Sequence, residues 1–133
     1  MAEFKTKLEE KKEYSTGATR DNSSGKGRFD LVPDLPLVRL ANVYERGGVN
    51  HGDRNWEAGL PFSRCLDSAI RHLIQYKMTR YDEKLKEEDH LAHAVWNIFA
   101  LMHEEEMIKR GALSKDLDDL PKYEVIKDEE TDS

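Results

Sequence analysis

Three residues of the stretch "HLAHAVWN", His90, His93 and Asn97, carry side chains able to bind protons, metal ions or amide partners. At 100° per residue on a helix they fall within about 60° of one another, on the side of Ala94 and Leu101. A polar stripe among alanine and leucine faces into the protein, where a buried amide must find hydrogen-bond partners. Histidines at i and i+3 can share a metal ion, and His72 on the preceding helix can supply a third ligand. The same histidines can instead bond backbone or carboxylate groups and fix helix packing.

Arg64, Asp67 and Arg71 share one side of that preceding helix, with Asp67 and Arg71 spaced for an i, i+4 ion pair. The dipeptide Arg71-His72 presents a guanidinium and an imidazole to neighbouring spaces. Its fork of donors suits phosphate oxygens. "SSGKGRFDL" adds Lys26 and Arg28 on glycine-rich backbone without the spacing of a Walker loop, as a phosphate contact or as a charged linker. "HGDRNW" sets Arg54, Asn55 and Trp56 together, where an indole beside an amide can stack on a nucleobase or simply anchor its loop.

These residues need helices to position them, and the apolar spacing predicts three. The first starts near Pro36 with Asp34 as its cap, carries Leu37, Leu40, Ala41 and Tyr44 as a stripe, and ends at Gly47-Gly48. "GGVNHGDRNWEAGLP" follows as a 15-residue glycine-punctuated loop, a length that suggests function. The second helix spans about 62–79 with Leu66, Ala69, Ile70, Leu73 and Ile74 as its apolar face. The third spans about 87–110 with Leu91, Val95, Ile98 and Met102 along one face, "HEEEM" at its solvated end and Gly111 as its stop. Residues 1–25 read as a flexible segment with room for a short helix over 3–13, and 112–133 as a weakly structured acidic tail. The expected fold is all-α, a small bundle of three principal helices and a long Gly-rich loop. So much apolar helix face calls for completion by homo-oligomerisation.

Composition narrows the function classes. The chain is 36% charged with no apolar run able to span a membrane, and its opening, "MAEFKTKLEEKKEY", lacks the apolar core of a secretory leader. The single Cys65 suits a reducing cytoplasm and reads as a packing residue rather than a nucleophile. The net charge of −6 lies wholly in residues 104–133, which hold five basic against eleven acidic side chains. The body therefore lacks the basic surplus of a general nucleic-acid binder, while a small phosphate ligand held by a few arginines remains open.

Taken in order, "GKGRFDLVP", "LANVYERGGVNHGDRNWEAGLPFSRCLDSAIRHL" and "HLAHAVWNIFAL" resemble the dATP/dGTP diphosphohydrolase N-terminal domain family, over roughly residues 17–102. That family is common in phage genomes and looks related to the all-α MazG-like nucleotide pyrophosphohydrolases. The resemblance implies a helical nucleotide-hydrolase-like domain over 26–111. Its pattern falls on Lys26, Arg28, Asp30, Tyr44, Glu45, Asn55, Trp56, Arg71, His72, His90, His93 and Asn97. It implies hydrolysis of a purine deoxynucleoside triphosphate, or a related phosphorylated small molecule, to the monophosphate and pyrophosphate, in the host cytoplasm if the chain is phage-encoded. Arg71, His72 and His93 would be catalytic; Lys26, Arg28, Asn55, Trp56, Arg71 and Asn97 would hold substrate. His72, His90 and His93 would hold a divalent ion, Mg²⁺ or Mn²⁺. Two departures stand out: "YDEKLKEED" replaces a glycine- and serine-containing acidic turn, and no lysine-tyrosine pair precedes the Gly-Asp of "HGDRNW". MazG-like enzymes hold Mg²⁺ with E-x-x-E and E-x-x-D pairs, and no such combination stands on the corresponding helices. The acidic candidates are Asp67, Glu45, Glu87 and Asp89. The alternative is a non-catalytic oligomer that binds or sequesters a nucleotide or nucleotide-derived signal.

Overall fold

The computed structural model describes residues 11–21 and 25–124. They fall into two units, 1–35 and 36–133. In the first, β1 (Lys11–Glu13) pairs antiparallel with β2 (Thr19–Asp21), Lys12 standing opposite Arg20. Gly17 takes a left-handed φ of 89° and donates its N–H to the Tyr14 carbonyl, which closes the hairpin. This is a difference from the helix expected over 3–13. Residues 11–13 are strand because the Ser-Thr-Gly turn after them returns the chain alongside, and 3–10 lie outside the described residues. A 3₁₀ turn, Phe29–Leu31, follows.

Three helices and their connections make up the second unit. α1 (Asp34–His51) has Pro36 in its first turn, and it runs through Gly47-Gly48 where a stop was expected. The stop is Gly52, with φ 91° and its N–H on the Gly48 carbonyl. Gly48 serves another purpose: a Cβ there would lie 2.5 Å from an Asp53 carboxylate oxygen. α2 (Phe62–Thr79) has the expected bounds. α3 (His90–Lys109) begins three residues late because Asp89 caps it, accepting the Ala92 N–H at 3.2 Å. Gly111, φ 76°, stops it as expected. The body is all-α, and no helix among the described residues is long and apolar enough to cross a membrane.

α2 and α3 pack as an antiparallel pair, with His72 beside His90, Ser68 bonded to Asn97 and Cys65 near Glu104. The seam is Phe62, Cys65, Ala69 and His72 against Ala94, Asn97, Ala100 and Glu104, with Ala92 buried on another side of α3. It lies to one side of the expected faces. Leu66, Ile70, Leu73 and Ile74 are 37–51% exposed, and Val95, Ile98 and Met102 are 38–58% exposed. Small side chains explain the offset, since alanine and cysteine let two helix axes approach closely where leucine and isoleucine hold them apart. Of the stripe expected on α1, Leu40 is buried and Tyr44 half-buried.

Two further expectations change at the end of α3. "HEEEM" is not all solvated: Glu104 is completely buried, and one of its oxygens accepts the Leu60 N–H from the loop before α2. Its other oxygen has no hydrogen-bond partner among the described residues, and burial pushes the Glu104 pKa above the usual carboxylate range. The chain after Gly111 packs back instead of trailing. Leu113 and Leu117 lie against Gly59, and Asp119 accepts both the backbone N–H and the hydroxyl of Ser63, at 2.8 and 2.6 Å. Asp119 thus caps α2 from 56 residues away. Of "YEVI", Tyr123 is exposed, and Val125 and Ile126 lie outside the described residues.

Candidate functional site

The antiparallel register puts the middle of α2 against the first turns of α3, and this brings His72, His90 and His93 together. The His72 and His90 Nδ1 atoms are 3.0 Å apart. The His93 ring stacks on that of His72, with centroids 4.9 Å apart and planes 16° from parallel. A carboxylate joins them: Glu88 lies 3.8 Å from His93 Nε2. One donor atom from each of His72, Glu88 and His90 can be chosen so that all three lie within 4.8 Å of one another. His72 is buried, and burial, followed by the neighbouring His93, holds its pKa below the ordinary imidazole value. It is therefore neutral at pH 7, the form that ligates a metal or accepts a proton.

Asn97 is buried next to this cluster and its amide donates to Ser68 Oγ at 3.1 Å and to the His93 carbonyl at 2.9 Å. It ties the turn of α3 that carries His93 to α2, so its contact is with the His93 backbone. Arg71 lies on the outer side of α2, half-exposed and 3.6 Å from Asp67. Lys26 and Arg28 belong to the first unit, both exposed, with Arg28 bonded through two nitrogens to Asp30 at 2.8 Å each.

The glycine-punctuated segment forms a separate aromatic cleft of about 370 Å³ with α1 and α3. Tyr44, Trp56 and Trp96 stand about 6 Å apart in a ring triad, and His103 sets its edge against Trp56 at 5.0 Å. Glycines 47, 48 and 52 form the wall, and Asp53, Asn55 and Glu57 supply polar groups. Arg54 holds a left-handed φ of 59° and its side chain pairs with Glu57 at 2.7 Å. Non-glycine residues occupy that region at a cost, and here it turns the chain so that Asn55 and Trp56 enter a 3₁₀ turn, Asn55–Ala58. Asn55 remains exposed while Trp56 is half-buried.

Cys65, 1% exposed, is a packing residue: burial and the nearby Glu104 carboxylate push its pKa up to about 11, so the thiol stays protonated. Glu88 had no distinct mark in the sequence, because in "KEEDH" three adjacent acids are equivalent by type and only the cap position of Asp89 is legible. Of the other acidic candidates, Asp67 pairs with Arg71 and Asp89 is held by Arg39.

The family model described as dATP/dGTP diphosphohydrolase, N-terminal, matches residues 16–114, and the chain belongs to that family. No curated protein and no solved structure matches it.

Proposed function

We propose that this member of the dATP/dGTP diphosphohydrolase N-terminal family hydrolyses a purine deoxynucleoside triphosphate to the monophosphate and pyrophosphate. The observation that carries the reading is the convergence of His72, Glu88 and His90 on one point between α2 and α3. Two imidazole nitrogens and one carboxylate oxygen suit Mn²⁺, which accepts imidazole, better than Mg²⁺, which favours oxygen ligands alone. His72, Glu88 and His90 would hold that ion. When bound it would supply Lewis-acid polarisation of the phosphate oxygens.

In this reading a water oxygen bonds to the α-phosphorus, and the bond from that phosphorus to the α,β-bridging oxygen breaks. The electron pair leaves on pyrophosphate. His93, close to both Glu88 and His72, takes the proton that the water loses. Asn97 holds the His93 turn in place through its carbonyl. Arg71 offsets phosphate charge. The aromatic cleft of Tyr44, Trp56 and Trp96 takes the base, with Asn55 at its rim.

The uncovered apolar faces of α2 and α3 support self-association. The preponderance of nitrogen over carboxylate donors in the cluster favours a second reading, in which the same site binds a nucleotide without cleaving it. Incubation with a panel of dNTPs and Mg²⁺ or Mn²⁺ separates the two. Monophosphate appears if the chain is a hydrolase, and bound nucleotide is recovered intact if it only sequesters.

A further inference from the structure

A second cleft, of about 380 Å³, opens beside the histidine cluster, and Glu88 and His90 line it. Its cations come from three separate parts of the chain: Arg39 and Arg46 from α1, Arg80 from the end of α2, and Lys86 from the connection to α3. The charges facing them are Glu87, Glu88 and Asp89.

Most of that acidity is already engaged. Both Asp89 oxygens hold Arg39, at 2.6 and 2.7 Å, and one also caps α3. Glu88 stands with the imidazoles. Lys86 meets Glu83 in an exposed pair at 2.8 Å, which a stronger anion displaces at little cost. Arg80 donates one nitrogen to the Lys77 carbonyl, which steadies it at the helix end. Among the described residues, neither Arg46 nor Arg80 forms an ion pair, and Glu87 is the one carboxylate lining the cleft that is not engaged elsewhere. Two guanidiniums lining one cleft suit an anion with several oxygens, because each fork contacts phosphate through paired donors.

We propose that this cleft is a polyphosphate subsite, in which Arg46 and Arg80, with Lys86, bind the β- and γ-phosphates of the substrate. The anion's identity rests on the hydrolase reading, whereas the cleft's preference for a condensed phosphate does not. The arrangement places the leaving pyrophosphate on fixed positive charge next to the residues that would hold the ion. Arg39 acts as a positioning residue, since its bidentate pair with Asp89 fixes the start of α3 and with it His90. The subsite also gives a triphosphate more contacts than a monophosphate, so product monophosphate leaves readily.

The test uses the full chain and inorganic tripolyphosphate as probe, titrated calorimetrically with metal chelated. Arg46→Ala/Arg80→Ala weakens tripolyphosphate binding by about tenfold or more, the loss expected for charge-assisted contacts. Deoxyadenosine, which has no phosphate, binds the wild type and the variant alike. Arg46→Lys/Arg80→Lys restores part of the affinity, because the charge returns without the fork. Both side chains are exposed, and circular dichroism with a melting curve verifies the fold of each variant. Equal tripolyphosphate affinity in the wild type and the alanine variant overturns the subsite, as does an unchanged KM for a dNTP that the wild type turns over. Tripolyphosphate held through Arg46 and Arg80 in a chain that turns over no dNTP leaves the subsite standing and removes the hydrolase reading.

Discussion

His93 lies flat on His72, ring centroids 4.9 Å apart and planes 16° from parallel, while His90 meets His72 nitrogen to nitrogen at 3.0 Å. Burial makes the charged form of His72 costly, and the neighbouring His93 adds to that cost. His72 therefore stays in the neutral form that ligates a metal.

Stability depends on pH as a direct consequence. The pKa of His72 is lower folded than unfolded, so below about 6.5 the unfolded chain takes a proton that the folded chain refuses. This contribution is full above that value. It is lost as pH falls through the interval down to the depressed folded pKa. Melting temperatures at pH 7.5 and 5.5 show the loss, and His72→Gln, neutral at both, reduces it. An equal fall in the wild type and the variant would assign the effect elsewhere.

Glu104 runs in the opposite sense. Its raised pKa means that the unfolded chain releases a proton first as pH climbs, so the buried carboxyl destabilises at neutral pH. Glu104→Gln keeps an acceptor for the Leu60 N–H and removes the charge. The variant melts higher at pH 7.5, by an amount on the order of 1–3 kcal/mol in stability, and the gain shrinks towards pH 4. A lower melting temperature at neutral pH would show that the carboxylate has a partner worth keeping.

Asp119 fastens the chain after α3 to the start of α2 through Ser63. Asp119→Ala costs about 1 kcal/mol, the usual worth of a capping side chain, while removal of residues 125–133 leaves the melting curve unchanged. Chemical denaturation of the two variants compares them directly. No effect from Asp119→Ala would mean that the cap is replaceable by water.

The exposed stripe of Leu66, Ile70, Leu73 and Ile74 on α2 predicts a mass above the 15.4 kDa of one chain in light scattering. Ile70→Glu/Leu73→Glu lowers it, since a charge in a buried apolar contact has no compensating partner. A wild type that runs as a monomer would contradict the association.

Helix content was legible because apolar periodicity and caps act locally: the bounds of α2 and the Gly111 stop follow from nearest neighbours alone. The seam was not, because periodicity ranks leucine and isoleucine above alanine, and close packing of α2 on α3 selected Ala69, Ala94 and Ala100. At the site, the histidines were found by type and spacing, whereas Glu88, Arg46 and Arg80 depend on how three elements converge. Glu104 was misread for the same reason, its fate being decided by a loop 44 residues earlier.

The central claim is that His72, Glu88 and His90 serve a nucleotide pyrophosphohydrolase, and phosphorus NMR of dATP or dGTP incubated with the chain and Mn²⁺ tests it most directly. The account predicts monophosphate and pyrophosphate in equal amounts, with turnover falling by about a hundredfold or more in Glu88→Gln and His90→Ala while both variants keep their helical signal. Nucleotide recovered unchanged, or turnover undiminished in those two variants, would contradict it.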